Sequence, residues 1–176
     1  MAREYSQRLF FALWPDSDTR SGLQRISSNL CGHGGGVHQP GDLHITLAFL
    51  GRVTSQQYTC LTEAVDGVTI TPFELMIDRI ELWRRPGILW CGPSHTPDPL
   101  RWLVSDLQAR LCHCGFGPEK RAYTPHITLA RKARSLPDYQ ISKPLCWPVG
   151  GFVLASSDDG NPPNRYKVIK KWLADS

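Results

Sequence analysis

The tetrapeptide His-Ile-Thr-Leu occurs twice in this chain, at 44–47 and again at 126–129. Both copies lie in short segments rich in β-branched residues, a composition that predicts strands. Because side chains alternate between the two faces of a strand, the histidine and threonine of each copy project to one side and the isoleucine and leucine to the other. Each strand is therefore predicted to bury two aliphatic side chains and to present an imidazole beside a hydroxyl.

The two copies stand about half the chain length apart, and each follows a predicted helix and a loop. A chain of 176 residues with 41% hydrophobic content has the size of one domain or of two small lobes that share a core. The predicted order of elements is β-α-β-α-β-β-α-β-β-β. We therefore predict a single bilobal domain over residues 1–176, an α+β fold with mainly antiparallel sheet whose halves are diverged copies.

Local signals locate several of these elements. Pro15-Asp16-Ser17 ends a buried strand and begins a helix, Thr54-Ser55 can cap a second helix that runs to about Asp66, and a third helix follows Asp98 and ends at Gly115. The alternating segment 73–83 is predicted to be one strand, paired as a hairpin with the segment 88–92.

The formal net charge is +4, from 20 Lys and Arg against 16 Asp and Glu. The basic residues gather around the second motif and near the C-terminus, at Lys120, Arg121, Arg131, Lys132, Arg134, Arg165, Lys167, Lys170 and Lys171. Two interpretations stay open for this charge, a solvated basic face or a rim that binds phosphate. The N-terminal segment fits neither a signal peptide nor a membrane span, so we expect a soluble, cytoplasmic protein.

The six cysteines have no spacing typical of a secreted disulfide scaffold, and free thiols are expected. Cys112, His113 and Cys114 are residue types that bind zinc, but structural zinc sites favour cysteines separated by two to four residues. A zinc-organised structural protein is kept as a distant alternative. Trp14, Trp83, Trp90 and Trp172 are interpreted as packing residues.

Two imidazoles with adjacent hydroxyls suit general acid–base chemistry at a phosphodiester. One histidine can take a proton from the attacking oxygen while the other protonates the leaving oxygen, and the sequence does not determine which does which. Thr46 and Thr128 can donate to the phosphoryl oxygens, where negative charge develops. No nearby group of Asp, Glu and His forms an equally good metal site, so we expect chemistry without a metal or another cofactor.

The doubled motif, with the segments QRLFFALW, LHITLAFLGRV, TPHITLAR and RYKVIKKWLA, resembles the 2H phosphoesterase superfamily and within it the bacterial RNA 2′,3′-cyclic phosphodiesterases, also called 2′-5′ RNA ligases. The resemblance implies a bilobal α+β fold with two antiparallel sheets that face each other across a central cleft, helices outside. It implies metal-independent hydrolysis of a terminal 2′,3′-cyclic phosphate to a 2′-phosphate, with reversible 2′-5′ ligation. It also implies that His44 is the proton donor and His126 the proton acceptor.

The same resemblance matches Arg131 to an arginine that contacts phosphate. Strand alternation alone would direct Arg131 away from His126, unless the strand bulges or ends first. Tyr123 and Tyr166 lie near the family's motifs, where each could stack on a base or pack in the core or at the rim.

Two alternatives concern the substrate and the class of protein. The substrate could be a small nucleotide such as ADP-ribose 1″,2″-cyclic phosphate, or the chain could be a non-catalytic RNA-binding module. The partners expected on the main hypothesis are RNA ends that carry a 2′,3′-cyclic phosphate, including tRNA fragments, or cyclic nucleotides. The protein is expected to be monomeric and not to engage a membrane.

Overall fold

A computed structural model describes residues 6–30, 36–157 and 162–174 of the chain. The helices are α1 (Ser17–Ser28), α2 (Ser55–Asp66) and α3 (Asp98–His113), and a short 3-10 turn spans Pro40–Asp42. The strands are β1 (Ser6–Leu13), β2 (Gly36–Val37), β3 (Ile45–Thr54), β4 (Phe73–Ile77), β5 (Arg79–Trp83), β6 (Ile88–Gly92), β7 (Ile127–Arg131), β8 (Leu145–Val149), β9 (Gly151–Ser156) and β10 (Lys167–Leu173).

The strands form two antiparallel sheets. The large sheet has the order β10-β9-β1-β3-β7-β6-β5, with β2 also paired to β7, and the small sheet pairs β4 with β8. The predicted α+β class with antiparallel sheet is confirmed. The division of strands between the sheets differs from the expected one, because the two motif strands β3 and β7 are neighbours in the large sheet and do not belong to separate sheets.

The contact between the two motif strands is a single antiparallel residue pair, Ile45 with Ile127. Both isoleucines are fully buried. In an antiparallel register, one step to either side of this pair puts His44 opposite Thr128 and Thr46 opposite His126. The aliphatic side chains that close the core between the halves therefore bring both H-x-T pairs to one face of the sheet.

Strand β1 is buried on both faces, which explains its nearly continuous apolar sequence. Leu9, Phe11 and Leu13 pack in the main core with the buried residues of all three helices. Phe10 and Ala12 face the other way, into a smaller cluster that includes Trp14 and Tyr166. The helices thus cover one face of the sheet and leave the motif face open.

The helix signals read from the sequence are confirmed. The Asp16 carboxylate caps α1 by accepting a hydrogen bond from the Thr19 amide at 2.7 Å, and Thr54 and Gln57 form a capping box at the start of α2. The predicted single strand over 73–83 is wrong. The Asp78 carboxylate accepts hydrogen bonds from the Ser94 amide and hydroxyl, and the chain changes sheets there, so that β4 and β5 are separate strands.

Strand β8 was not predicted from the sequence. It contains Pro148, which has no amide proton for a sheet ladder, and a proline argues against a central strand. The two-stranded sheet tolerates it because both of its strands are edges. None of the helices in the described residues has the length and apolar content that a membrane span requires.

The expectation of free thiols is wrong for two cysteines. Cys60 in α2 and Cys114 directly after α3 form a disulfide, with their Cα atoms 5.7 Å apart and a separation of 54 positions in sequence. Helix packing brings them together, and no local spacing signals such a pair. Because the Cys114 sulfur is bonded to Cys60, Cys112 and Cys114 cannot supply two thiolates to a zinc ion. Cys91, Cys112 and Cys146 are free, and Cys31 lies outside the described residues.

The Cys60–Cys114 bond is expected to stabilise the fold by restricting the unfolded chain. Replacing both cysteines by serine should lower the free energy of unfolding by about 2–4 kcal/mol in urea titrations, relative to the oxidised protein. Replacing the exposed Cys112 by serine is the matched control and should leave the midpoint within experimental error. A non-reducing peptide map in which Cys60 and Cys114 are unlinked would contradict this assignment.

Candidate active site

The four motif side chains line one cavity on the open face of the large sheet. His44, Thr46, His126 and Thr128 border a space of about 350 Å³. The remaining lining residues come from the strands and loops around them: Arg8, Phe10, His38, Asp42, Phe49, Ile88, Arg131, Ser157 and Tyr166. The structure therefore brings both copies of the motif to one place, and in each copy the histidine and threonine share a face, as the alternation along the strand predicts.

A larger cavity, of about 620 Å³, lies between residues 67–73 and the first half of α3. The cation there, Arg110, is already occupied, since it donates to the Asp106 carboxylate and to the carbonyls of Ala64 and Gly67. None of the described residues that border this cavity is a histidine. The residues that line the smaller cavity, and not its volume, identify it as the candidate site.

The His44 ring is held in one tautomer and one orientation. Its Nδ1 lies 2.6 Å from the backbone carbonyl oxygen of Asp42, and because a carbonyl can only accept, Nδ1 carries the proton. Trp14 stacks on the ring at 5.3 Å between centroids, and Tyr166 packs edge-on at 5.0 Å. The Nε2 atom is left as the chemically active nitrogen.

His126 repeats this arrangement in the other half. Its Nδ1 lies 2.8 Å from the carbonyl oxygen of Thr124, two residues before it, as Asp42 is before His44. Trp83 packs edge-on against the ring at 4.6 Å between centroids, and Trp90 lies behind it at 6.0 Å. Trp14 and Trp83, which sequence reasoning left among the packing residues, thus form one wall of each imidazole site.

The environment keeps both imidazoles neutral. Burial lowers the pKa of His44 to about 4 against the opposing effect of the Asp42 carbonyl, and the charges of His38, His126 and Arg131 act in the same direction as burial. Burial also lowers the pKa of His126, with Arg131 contributing and the Thr124 carbonyl opposing. An anion between the two rings would offset both the desolvation and the repulsion, so binding of phosphate and protonation are coupled.

Arg131 lies at the cavity although strand alternation directs it away. Along the β6–β7 pair, Leu89 faces Ala130 and Trp90 faces Thr128, so Leu129 is an extra residue in β7. A bulge of this kind shifts the alternation by one residue. Leu129 and Ala130 are consequently both buried, and Arg131 returns to the side of His126 and Thr128.

The structure brings only one of the two predicted tyrosines to the cavity. Tyr166 lines the cavity and contacts the rings of His44 and Phe10. Tyr123 does not line it: its hydroxyl donates to the backbone carbonyl of Thr46 at 3.1 Å, and burial raises its pKa. Tyr123 therefore ties the loop before β7 to β3, and the structure does not bring it to the substrate side.

Asp42 is a site residue that sequence reasoning missed. Its carboxylate is buried and accepts hydrogen bonds from the amides of Arg165 and Tyr166, at 2.9 and 3.3 Å. These bonds fix the segment before β10 and with it the Tyr166 ring against His44. The signal in the sequence that could have identified Asp42 is a carboxylate two residues before a motif histidine. The backbone carbonyl of the same residue orients the histidine ring.

His38 is a third histidine at the cavity and was also missed. Its backbone amide donates to the Leu129 carbonyl at 2.8 Å, which attaches the loop before β3 to β7. Burial, Arg131 and Arg165 lower its pKa to about 4, with Asp42 opposing. Within the described residues, no group of three or more His, Cys, Asp or Glu side chains is arranged to hold a metal ion.

Sulfate affinity is expected to rise as the pH falls. A bound anion stabilises the charged imidazoles, so their pKa values in the complex exceed those in the free protein, and protons are taken up on binding between the two values. Calorimetric titration from about pH 8 to about pH 5 should show a dissociation constant that decreases by up to about tenfold per pH unit for each proton taken up. An affinity that is independent of pH would contradict the coupling.

Comparison with known proteins agrees with this geometry. The family model described as "2′-5′ RNA ligase superfamily" matches residues 14–161. The protein "RNA 2′,3′-cyclic phosphodiesterase" of Escherichia coli (strain K12) is 28% identical over 172 residues, 94% of this chain and 96% of the relative. A protein of the same name from Archaeoglobus fulgidus is 30% identical over 135 residues, 74% of this chain and 76% of the relative.

A solved structure extends the comparison to the whole fold. The crystal structure of Escherichia coli LigT complexed with 3′-AMP superposes with a TM-score of 0.86 at 27% sequence identity, and covers 98% of this chain and 100% of that one. The family match spans both H-x-T strands and the helices between them. The chain therefore belongs to the 2′-5′ RNA ligase superfamily.

Proposed function

We propose that this protein is an RNA 2′,3′-cyclic phosphodiesterase that hydrolyses a terminal 2′,3′-cyclic phosphate to a 2′-phosphate. The observation that carries the proposal is the pair of imidazoles, each held through Nδ1 by a backbone carbonyl, beside two threonine hydroxyls in one cavity. The names of the curated relatives agree with it.

The proposed reaction forms one P–O bond and breaks another. His126 Nε2 accepts a proton from water as the water oxygen attacks phosphorus, and His44, protonated at Nε2, gives its proton to the departing 3′-oxygen. The products are a 2′-phosphomonoester and a free 3′-hydroxyl. His44 ends neutral and His126 ends protonated, and transfer of a proton through solvent restores the starting state.

The threonines and Arg131 are proposed to stabilise charge on phosphorus. Thr46 and Thr128 border the same cavity as the imidazoles, so their hydroxyls can donate to the non-bridging oxygens. Arg131 adds a cation at this edge, and a guanidinium suits phosphate oxygens because it donates in a planar fork. Bound phosphate would in turn supply the negative charge that the protonated His44 requires.

A second nucleophile in place of water gives a second activity from the same groups. If the 5′-hydroxyl of another RNA replaces water, attack on the cyclic phosphate with loss of the 3′-oxygen forms a 2′-5′ linkage. This is the ligase activity for which the superfamily is named.

A non-catalytic RNA-binding role is less compatible with the site. Binding a phosphate backbone requires cations, and the two half-buried imidazoles are neutral near pH 7 because their pKa values are lowered. Two neutral rings with oriented Nε2 atoms suit proton transfer better than charge neutralisation. The same proton transfers could act on small cyclic phosphates, so ADP-ribose 1″,2″-cyclic phosphate is kept as an alternative substrate.

RNA ends with a cyclic phosphate, including tRNA fragments, are the proposed cellular substrates, and the cytoplasm is the proposed compartment. We also propose that the active form is a monomer built as one domain over residues 1–176. One chain brings both H-x-T pairs to one cavity, and both halves contribute strands to one sheet.

The proposed reaction should proceed in EDTA. Purified protein incubated with a 2′,3′-cyclic nucleotide or RNA should yield the 2′-phosphate as the main product, identified by phosphorus NMR. Failure to turn over in EDTA, or a 3′-phosphate as the main product, would contradict the mechanism.

Replacing either motif histidine should remove proton transfer without unfolding the protein. His44→Asn and His126→Asn are each expected to lower kcat by about 10²–10⁴-fold on a cyclic phosphate, the range for a general acid or base. The exposed His95, changed to Asn, is the matched control and should retain activity. Thermal unfolding of each variant separates loss of chemistry from loss of structure.

The same variants also test the assignment of acid and base. A nucleoside 2′-(p-nitrophenyl phosphate) reacts in the direction opposite to ligation: its 3′-hydroxyl attacks phosphorus with His44 as the base, and the phenolate leaves from the side of His126. Because this phenolate needs little help from an acid, His126→Asn should recover most of its deficit and His44→Asn should not. The opposite recovery would exchange the two roles.

A further inference from the structure

A second cavity adjoins the candidate active site. It has a volume of about 340 Å³ and shares His38, Asp42 and Arg131 with the first cavity. Beyond these three it is bordered by Lys132 and Arg165. A ligand that occupies the first cavity can therefore continue into the second past His38 and Arg131.

Among the described residues, no salt bridge neutralises the positive charge on the border of the second cavity. Across residues 6–30, 36–157 and 162–174, neither Arg131, Lys132 nor Arg165 forms a salt bridge with a carboxylate. The one carboxylate on its border, Asp42, is buried and already accepts from two backbone amides. Three cations against one occupied carboxylate favour an anionic ligand.

His38 supplies a polar atom without a partner at the junction of the two cavities. Only 9% of the residue is exposed, and its Nε2 makes no hydrogen bond in the described structure. A buried polar atom without a hydrogen-bond partner costs free energy, so its presence at a cavity favours a ligand that supplies the partner. The neutral ring can donate through Nε2–H to a phosphate oxygen.

The backbone at Lys132 is also unusual. Its φ is +59°, in the left-handed region that lysine seldom adopts, and it directly follows the end of β7. The next amide, of Ala133, donates to the Gly87 carbonyl at 3.0 Å and so holds this turn. Such backbone conformations cluster at functional sites, and here the turn places Lys132 beside Arg131 on the border of the cavity.

We propose that the second cavity is a subsite for a second phosphate, formed by His38, Arg131, Lys132 and Arg165, which receives the internucleotide phosphate of an RNA chain. In such a substrate, one ribose separates the cyclic phosphate from the preceding phosphodiester. The two cavities are likewise adjacent, with His38, Asp42 and Arg131 on their common border. This inference rests on the proposed function and specifies its substrate class as an oligonucleotide end.

The same chemistry, a phosphate anion one ribose away from the cyclic phosphate, also occurs in ADP-ribose 1″,2″-cyclic phosphate, where it is part of a pyrophosphate. The basic residues that follow Arg165 along β10, at Lys167 and Lys171, favour a polynucleotide over a small nucleotide. The experiment therefore includes both sources.

The test compares ADP-ribose 1″,2″-cyclic phosphate with three cytidine substrates that differ in whether a second phosphate is present and charged. They are cytidine 2′,3′-cyclic phosphate, the dinucleotide CpC with a 2′,3′-cyclic end, and the same dinucleotide with an uncharged methylphosphonate linkage. For the wild type, kcat/KM on the charged dinucleotide should exceed that on the methylphosphonate by about tenfold, the effect of two partly exposed cation–phosphate contacts.

Lys132→Gln and Arg165→Gln should each reduce this ratio to about threefold or less, and the double variant should bring it close to one. The dependence of kcat/KM on salt should also become shallower for the charged dinucleotide. Lys143→Gln, at an exposed position outside both cavities, is the matched control and should keep the wild-type ratio. His38→Leu should lower the ratio, and His38→Gln, which retains a donor, should restore part of it.

The outcomes separate this inference from the proposed function. If none of the cyclic phosphates is hydrolysed, the proposed function itself fails. If wild type hydrolyses all three but does not distinguish the charged linkage, or if both Gln variants keep the wild-type ratio, the subsite is overturned while the function stands. A higher kcat/KM on ADP-ribose 1″,2″-cyclic phosphate than on the charged dinucleotide, lost in the same variants, would overturn RNA as the occupant and assign a pyrophosphate instead.

Discussion

The site depends on one interaction that occurs twice, the hydrogen bond from an imidazole Nδ1 to the backbone carbonyl two residues earlier. The carbonyl of Asp42 holds His44, and that of Thr124 holds His126. Each bond fixes the tautomer and directs Nε2 away from its own backbone. Without this restraint, a histidine at the start of a strand could rotate about its side-chain bonds, and two such rings would rarely be poised together for proton transfer.

The fold keeps these two hydrogen bonds close together and partly buried. The Ile45–Ile127 pair joins the halves at the residue after each histidine, and Tyr123 adds a bond from the loop before β7 to the Thr46 carbonyl. Trp14 and Trp83 then cover the rings from either side. The resulting burial lowers both pKa values, so the free site is neutral and gains its active protonation state as an anion arrives.

Much of this could be predicted from the sequence, because strand alternation and helix capping are local. They place His44 with Thr46, and His126 with Thr128, on one face of their own strand, and the three helices in their correct segments. That both strands belong to one sheet was not predicted. What could not be predicted depends on distant contacts: the bulge at Leu129 that returns Arg131 to the cavity, the break at Asp78 imposed by Ser94, and the Cys60–Cys114 bond between two helices. The contacts of Trp14 with His44 and of Trp83 with His126 could not be predicted either, since only the order of strands in the sheet brings these rings together.

The tautomeric state of the two imidazoles is the most direct measure of this account. Long-range proton–nitrogen NMR spectra of the free protein, recorded with nitrogen-15 labelled histidine at neutral pH, should show His44 and His126 as neutral rings protonated at Nδ1. A neutral ring protonated at Nε2 at either position would mean that its carbonyl restraint is absent, and would contradict the proposed arrangement of acid and base.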